Sequence, residues 1–198
     1  MYTSEARWIP VHTAIDWAGD VARVIKTDKN TIPDTNTYAR LEGVSFHNGT
    51  IDVDVCGKLL PNAPAFSRGF IGIVYRINDA DNEFESFYIR PTNGRGCDDP
   101  VRKTHACQYF SFPGYTFDYF REFGITDYEC ALDDIALGEW AHIHARIREE
   151  AASFFVNGRL CFTVKDMKHG SDARGSVGLY VDIGTDGYFR NFEVHCED

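Results

Sequence analysis

In the stretch Thr50-Ile51-Asp52-Val53-Asp54-Val55, apolar and acidic side chains alternate one for one, and this two-residue rhythm returns along most of the chain. A strand sends successive side chains to opposite faces, so Ile51, Val53 and Val55 turn one way while Asp52 and Asp54 turn the other. That is the signature of a half-buried strand. Further segments of this kind run over 38–41, 70–77, 84–90, 108–112, 141–147, 153–156, 160–164, 177–183 and 188–195, whereas one short helix is expected near 119–123.

Turn chemistry tells how these strands connect. Asn78-Asp79-Ala80-Asp81-Asn82-Glu83 is a run of turn formers, which makes 70–90 a hairpin. Asn157-Gly158 joins 153–156 to 160–164 across a tight turn that needs positive φ. Strands that return at once on themselves build antiparallel sheets. With 198 residues, no low-complexity linker and no internal repeat, the chain is expected to be all-β, one two-sheet antiparallel sandwich domain over 1–198. Residues 91–137 depart from the rhythm. They form a long insertion rich in Arg, Asp, Tyr and Phe, and insertions of this length in compact domains are candidates for function.

Acidic residues outnumber basic ones, 30 to 20, for a formal charge of -10. Such a field repels phosphate backbones and anionic bilayers, so neither nucleic acid nor membrane is an expected partner, and a neutral ligand is. No apolar run is long enough to cross a bilayer. A chain of this length buries roughly 70% of its unfolded surface and is stable without covalent staples. The six cysteines show no C-x-x-C pair or zinc-finger spacing, and the opening residues MYTSEARWIP lack the features of a secretory signal. Reduced thiols in the cytoplasm are therefore expected.

Sugars are recognised by planar amides, carboxylates and guanidinium forks beneath their hydroxyls, with an aromatic ring against the C–H face. The segment following the 84–90 strand concentrates such groups: Arg90, Asn93, Arg102 and Gln108, with Tyr88, Tyr109 and Tyr115 as rings and Arg76 from the preceding strand as a further candidate. Asp98 and His105 are the candidate general acid and base, because burial and neighbours tune carboxylates and imidazoles toward neutrality. His142 and His144 share a strand face without a third ligand at a readable spacing. Asp79, Asp81 and Glu83 have the spacing of calcium ligands but lack the EF-hand glycine, so a solvated turn is expected and no metal or other cofactor is assigned. Cys97 and Cys107 flank the polar segment and are expected to be small buried hydrophobes. Phe84, Phe110, Phe112, Phe117, Phe154, Phe155, Phe189 and Phe192 are expected to fill the core.

A series of segments then carries a resemblance: Phe70-Ile71-Gly72-Ile73-Val74-Tyr75-Arg76, Glu85-Ser86-Phe87-Tyr88-Ile89-Arg90-Pro91-Thr92-Asn93, Gln108-Tyr109-Phe110, Gly138-Glu139-Trp140, Phe155-Val156-Asn157-Gly158, Gly178-Leu179-Tyr180-Val181-Asp182 and Tyr188-Phe189-Arg190-Asn191-Phe192. From about Phe46 onward the chain resembles bacterial laminin-G-like, concanavalin A-like sandwich domains, including the 3-keto-disaccharide hydrolase-like group. The resemblance implies a jelly-roll sandwich that handles a small carbohydrate or glycoside. It leaves open a glycoside hydrolase-like activity on a modified sugar, and a protein-interaction module is a third reading. The E-x-D-x-x-E signature of the related glucanases is absent.

Overall fold

The structure, a computed structural model, describes residues 2–197, and among them fourteen strands form two antiparallel seven-stranded sheets. In spatial order the first sheet holds β1 (Trp8–Val11), β4 (Tyr38–Leu41), β13 (Ser176–Val181), β6 (Ile71–Ile77), β7 (Phe84–Ile89), β8 (Cys107–Phe112) and β9 (Glu129–Cys130). The second holds β12 (Arg159–Val164), β11 (Ala151–Val156), β10 (Ala141–Arg148), β5 (Asn48–Leu59), β14 (Thr185–Glu197), β3 (Val21–Lys26) and β2 (Thr13–Ala18).

The alternation in β5 does what its chemistry dictates. Ile51, Val53 and Val55 are fully buried against the first sheet, while Asp52 and Asp54 face outward opposite His144 and His142 of β10. His144 Nδ1 lies 2.8 Å from Asp52 Oδ1 and His142 Nδ1 lies 2.9 Å from Asp54 Oδ1, so each imidazole has a carboxylate partner. Between the sheets Phe87 of β7 stacks on Phe154 of β11 with centroids 4.4 Å apart and planes 4° from parallel. Tyr75, Tyr109 and Phe162 pack around that pair.

The outer face of the first sheet is buried too. Tyr88, Phe110 and Tyr180 form a triangle of rings there, with centroids 5.5 to 5.8 Å apart, and Phe84 and Tyr38 extend it. Residues 91–137 are not one long loop: they contain β8, β9 and the short helices α1 (Pro100–Lys103) and α2 (Phe117–Glu122). The ten segments read as strands each fall on a strand, with Phe70, Arg90, Asp182 and Ile183 lying just beyond the strand ends. Strands β1 to β3 and the two-residue β9 were not anticipated, because their alternation is short and broken by partly exposed edge positions. Asn157 and Gly158 adopt φ of 50° and 81°, the double positive φ of a type I′ turn.

Arg76 does not line the cavity described below. It has φ of 53° at an irregularity in the β6–β13 pairing, which turns its side chain into the protein. There the guanidinium donates to the carbonyls of His47 (2.8 Å), Glu149 (2.6 Å) and Gly170 (3.2 Å) and acts as a clamp between loops. Asp81 is likewise structural, since Arg40 Nε sits 3.0 Å from its Oδ1.

Because the Phe87–Phe154 stack joins the two sheets, Phe154→Ala opens a cavity at their centre. It is expected to lower unfolding stability by about 3–5 kcal/mol, read as a reduced midpoint in urea at unchanged slope.

Candidate functional site

β6 begins, and β7 and β13 end, at one end of the first sheet, and a cavity of about 410 Å³ opens there. Its floor and walls come from Tyr88 and Arg90 at the end of β7, Phe70 before β6 and Ile183 after β13. Loops add Thr31 and Pro33 on one side, Phe66 and Arg68 on another, and Asn93, Arg102 and His105 from the segment after β7. Helix α2 closes the remaining side with Phe117 and Arg121.

Arg90 is the hub. It is 4% exposed, and its guanidinium donates to His105 O at 3.0 Å, to Tyr88 Oη at 2.7 Å and to Gln108 Oε1. Asn93 Nδ2 donates to the same His105 carbonyl at 2.9 Å. The Asp99 side chain caps α1 by accepting from Val101 N and Arg102 N. This sets the short helix so that Arg102 returns to Asn93, with Nε 3.2 Å from Asn93 Oδ1 and Nη2 3.1 Å from Thr92 Oγ1. Phe117 lies between two guanidiniums, with Arg90 Cζ 5.3 Å and Arg121 Cζ 4.8 Å from its ring centroid, both in cation–π range.

Two carboxylates stand behind this wall. Glu129 Oε2 is 2.6 Å from His105 Nδ1 and 3.3 Å from Arg121 Nη2. Burial pushes the His105 imidazolium below its ordinary range, the Arg121 and Arg90 charges add to this, and Glu129 opposes it. Asp34, 1% exposed and in the left-handed region at φ 56°, accepts from Phe117 N at 2.6 Å. Burial raises its carboxyl to about 7, the neighbouring Asp182 adding and Phe117 N and Arg90 opposing. Arg68 shifts the other way: burial lowers its guanidinium, and the charges of Arg102 and Arg90 lower it further.

Five of the residues singled out from sequence, Tyr88, Arg90, Asn93, Arg102 and His105, therefore line one cavity. Gln108 stands behind it as the acceptor that holds Arg90. Tyr109 follows Gln108 on β8 and so faces the opposite way, into the core, where its hydroxyl donates to Glu85 Oε2 at 2.5 Å. Tyr115 packs on Tyr119 away from the cavity, with ring centroids 5.0 Å apart. Asp98 is exposed and not part of the lining, so it is not paired with His105 there. Thr31, Phe66, Arg68, Phe117 and Arg121 were missed. They come from three distant stretches, and no spacing in the sequence links them.

Cysteines supply a second cluster. Cys107, Cys130 and Cys161, from β8, β9 and β12, place their sulfurs within 4.8 Å of one another. Among the described residues no other set of three metal-ligating side chains converges in this way.

No protein-family model matches the chain, and no curated protein does. Solved structures do resemble it in shape. A carbohydrate-binding module of the CBM66 type from Bacillus subtilis superposes with a TM-score of 0.62 at 13% identity, covering 93% of this chain and 92% of the other. A Bacillus subtilis protein of unknown function with a galectin-like fold gives 0.61 at 10% identity, over 98% and 90%. The β-glucanase of Bacillus licheniformis gives 0.55 at 11%, over 100% and 95%. The fold is thus the concanavalin A-like, jelly-roll sandwich of lectins and glucanases.

Asp34 makes stability fall with pH. An unfolded chain releases this proton above the ordinary aspartate value of 3.8, whereas the folded chain keeps it up to about 7, so protons bound to the native state are lost from its advantage as pH rises between these limits. Asp34→Asn is expected to remove that part of the decline. Thermal midpoints at pH 5 and pH 8 should lie closer together in the variant than in the native protein.

Proposed function

We propose that this chain is a carbohydrate-binding sandwich whose ligand occupies the cavity beneath Arg90. The observation that carries the reading is the convergence, in one cavity, of planar hydrogen-bonding groups (Arg90, Asn93, Arg102) with the rings of Tyr88, Phe66 and Phe117. Its volume of about 410 Å³ lies in the range of small-ligand sites, and a shallower hollow of about 270 Å³ adjoins it at Thr31 and Ile183, which gives room for a second sugar unit. The shape likeness to a carbohydrate-binding module supports the same reading.

Binding is favoured over hydrolysis by the lining itself. Glycoside cleavage by the common mechanisms needs two carboxylates about 5–10 Å apart across the scissile bond. No Asp or Glu is among the residues lining this cavity. Glu129 and Asp34 are engaged behind the wall, so the 3-keto-disaccharide hydrolase-like reading finds no acid pair here. Cys56, Cys97, Cys107, Cys130 and Cys161 form no disulfide, which favours a reducing, cytoplasmic setting, and no helix among the described residues is long and apolar enough to cross a membrane.

An oligosaccharide array probed with the whole chain tests the proposal. Retention of at least one glycan is expected, and Phe66→Ala should weaken it roughly tenfold, since a ring that is 48% exposed at the cavity rim is free to stack on a sugar. The variant's thermal midpoint should be unchanged. An array on which nothing is retained removes the proposal.

A further inference from the structure

We infer that the ligand of this cavity is acidic: a saccharide bearing a carboxylate, sulfate or phosphate gripped by Arg68, Arg90 and Arg102. The inference rests on the saccharide reading above and narrows it. Four guanidinium groups line one small cavity, in a chain whose formal charge is -10. Elsewhere, Arg76 is closed off by the loop carbonyls it clamps rather than facing a cavity, while Arg7, Arg23, Arg40, Arg95, Arg148 and Arg190 each lie against a carboxylate. The three named here do not. Arg90 is bonded to a carbonyl, a phenol and an amide. Arg102 is bonded to Asn93 and Thr92, and Arg68 to the carbonyls of Ala65 and Ser67.

Neutral acceptors orient a guanidinium without cancelling its charge, so these side chains are held in place and still lack a counter-ion. Asp34 and Glu129 offset part of the local charge, and Asp99 near Arg68 is engaged by the amides of α1. Three like charges gathered against Phe66, Phe70 and Phe117 repel one another, and Arg68, lowered first by burial, is lowered further by Arg102 and Arg90. An acidic group relieves that repulsion, and guanidinium forks match carboxylate, sulfate and phosphate oxygens in bidentate geometry. A neutral sugar relieves none of it.

The test compares matched glycans. Uronate-containing, sulfated, phosphorylated and neutral forms of one oligosaccharide are arrayed, and the best acidic form and its neutral counterpart are titrated by calorimetry. The acidic form should bind at least about tenfold tighter, the difference a charge-assisted bidentate contact supplies. Arg102→Gln should bring it to the neutral level, with Arg102→Lys in between. If Arg102→Gln does not fold, Arg68→Gln makes the same comparison. Equal affinity for acidic and neutral forms overturns this inference and leaves the saccharide reading standing. Binding of inorganic phosphate with no glycan retained overturns both, as does an array with no retention at all.

A separate observation carries a second site. We propose that Cys107, Cys130 and Cys161 bind one zinc ion that joins the open edges of the two sheets. β9 is the edge of the first sheet, β12 is the edge of the second, and the two strands meet. Cys107 Sγ and Cys130 Sγ are 3.3 Å apart, and all three sulfurs fall within 4.8 Å. Three thiolates about 2.3 Å from one zinc ion are about 3.8 Å from one another, so small shifts suffice. A disulfide would use only two of the three. Zinc binds thiolates, so any proton still on these sulfurs leaves to solvent as the metal enters. Cys130 and Cys161 are only partly buried, so water can complete the tetrahedron.

Zinc titrated into the reduced, metal-free chain against a chromophoric chelator should show one site. Co²⁺ should give a thiolate charge-transfer band in the near ultraviolet. Cys161→Ser should weaken zinc at least about tenfold through loss of one ligand, and Cys196→Ser, outside the cluster, should not. Absence of stoichiometric zinc binding overturns the site, and so does equal affinity in Cys161→Ser.

Discussion

The cavity depends on one buried cation. Arg90 stands at the end of a core strand with almost no solvent contact, and a guanidinium so placed must have its donors met or the fold is lost. Tyr88, Gln108 and the His105 carbonyl meet them, and each of these demands fixes something else. The phenol holds Tyr88 on the outer face of the sheet, the amide locks the β7–β8 register, and the carbonyl draws the chain after α1 back over the sheet end. Asn93 shares that carbonyl and aligns Arg102. Folding core and cavity wall are thus the same hydrogen-bond network.

Such a network makes a rigid site rather than an adaptable one. Arg90 is pinned by three acceptors and flanked by the rings of Tyr88 and Phe117 at 5.0 and 5.3 Å. Ordering these side chains is part of folding, so little conformational entropy remains to be lost when a ligand enters.

The fold was legible because alternation is a local property. Each residue of β5 or β10 shows its face by its own chemistry, and the Asn157-Gly158 turn announces itself by the φ values it requires. The site was half legible for the same reason: Tyr88, Arg90, Asn93, Arg102 and His105 lie within eighteen positions of one another in the chain. What lay beyond local reading was convergence. Arg68, Phe117 and Arg121 reach the cavity only through tertiary packing, as do the three cysteines, whose separations of 23 and 31 residues match no metal motif. Tyr109 and Arg76 show the opposite error. Tyr109 is one position out of phase with Gln108, and Arg76 is rotated by a backbone irregularity that no side-chain pattern encodes.

Net charge and cavity charge point different ways, and the reason bears on selectivity. An excess of ten acidic charges favours a neutral ligand, whereas the cavity holds four guanidiniums. Charges on the outer surface act through water and salt and fade over a Debye length of roughly 8 Å at physiological ionic strength. Guanidiniums a few ångströms from a ligand, against apolar walls, act almost unscreened. On the acidic-saccharide proposal the two fields would sort ligands by size as well as sign: an extended polyanion would meet the whole acidic surface, whereas a single acidic sugar inside the screened region would feel only the arginines.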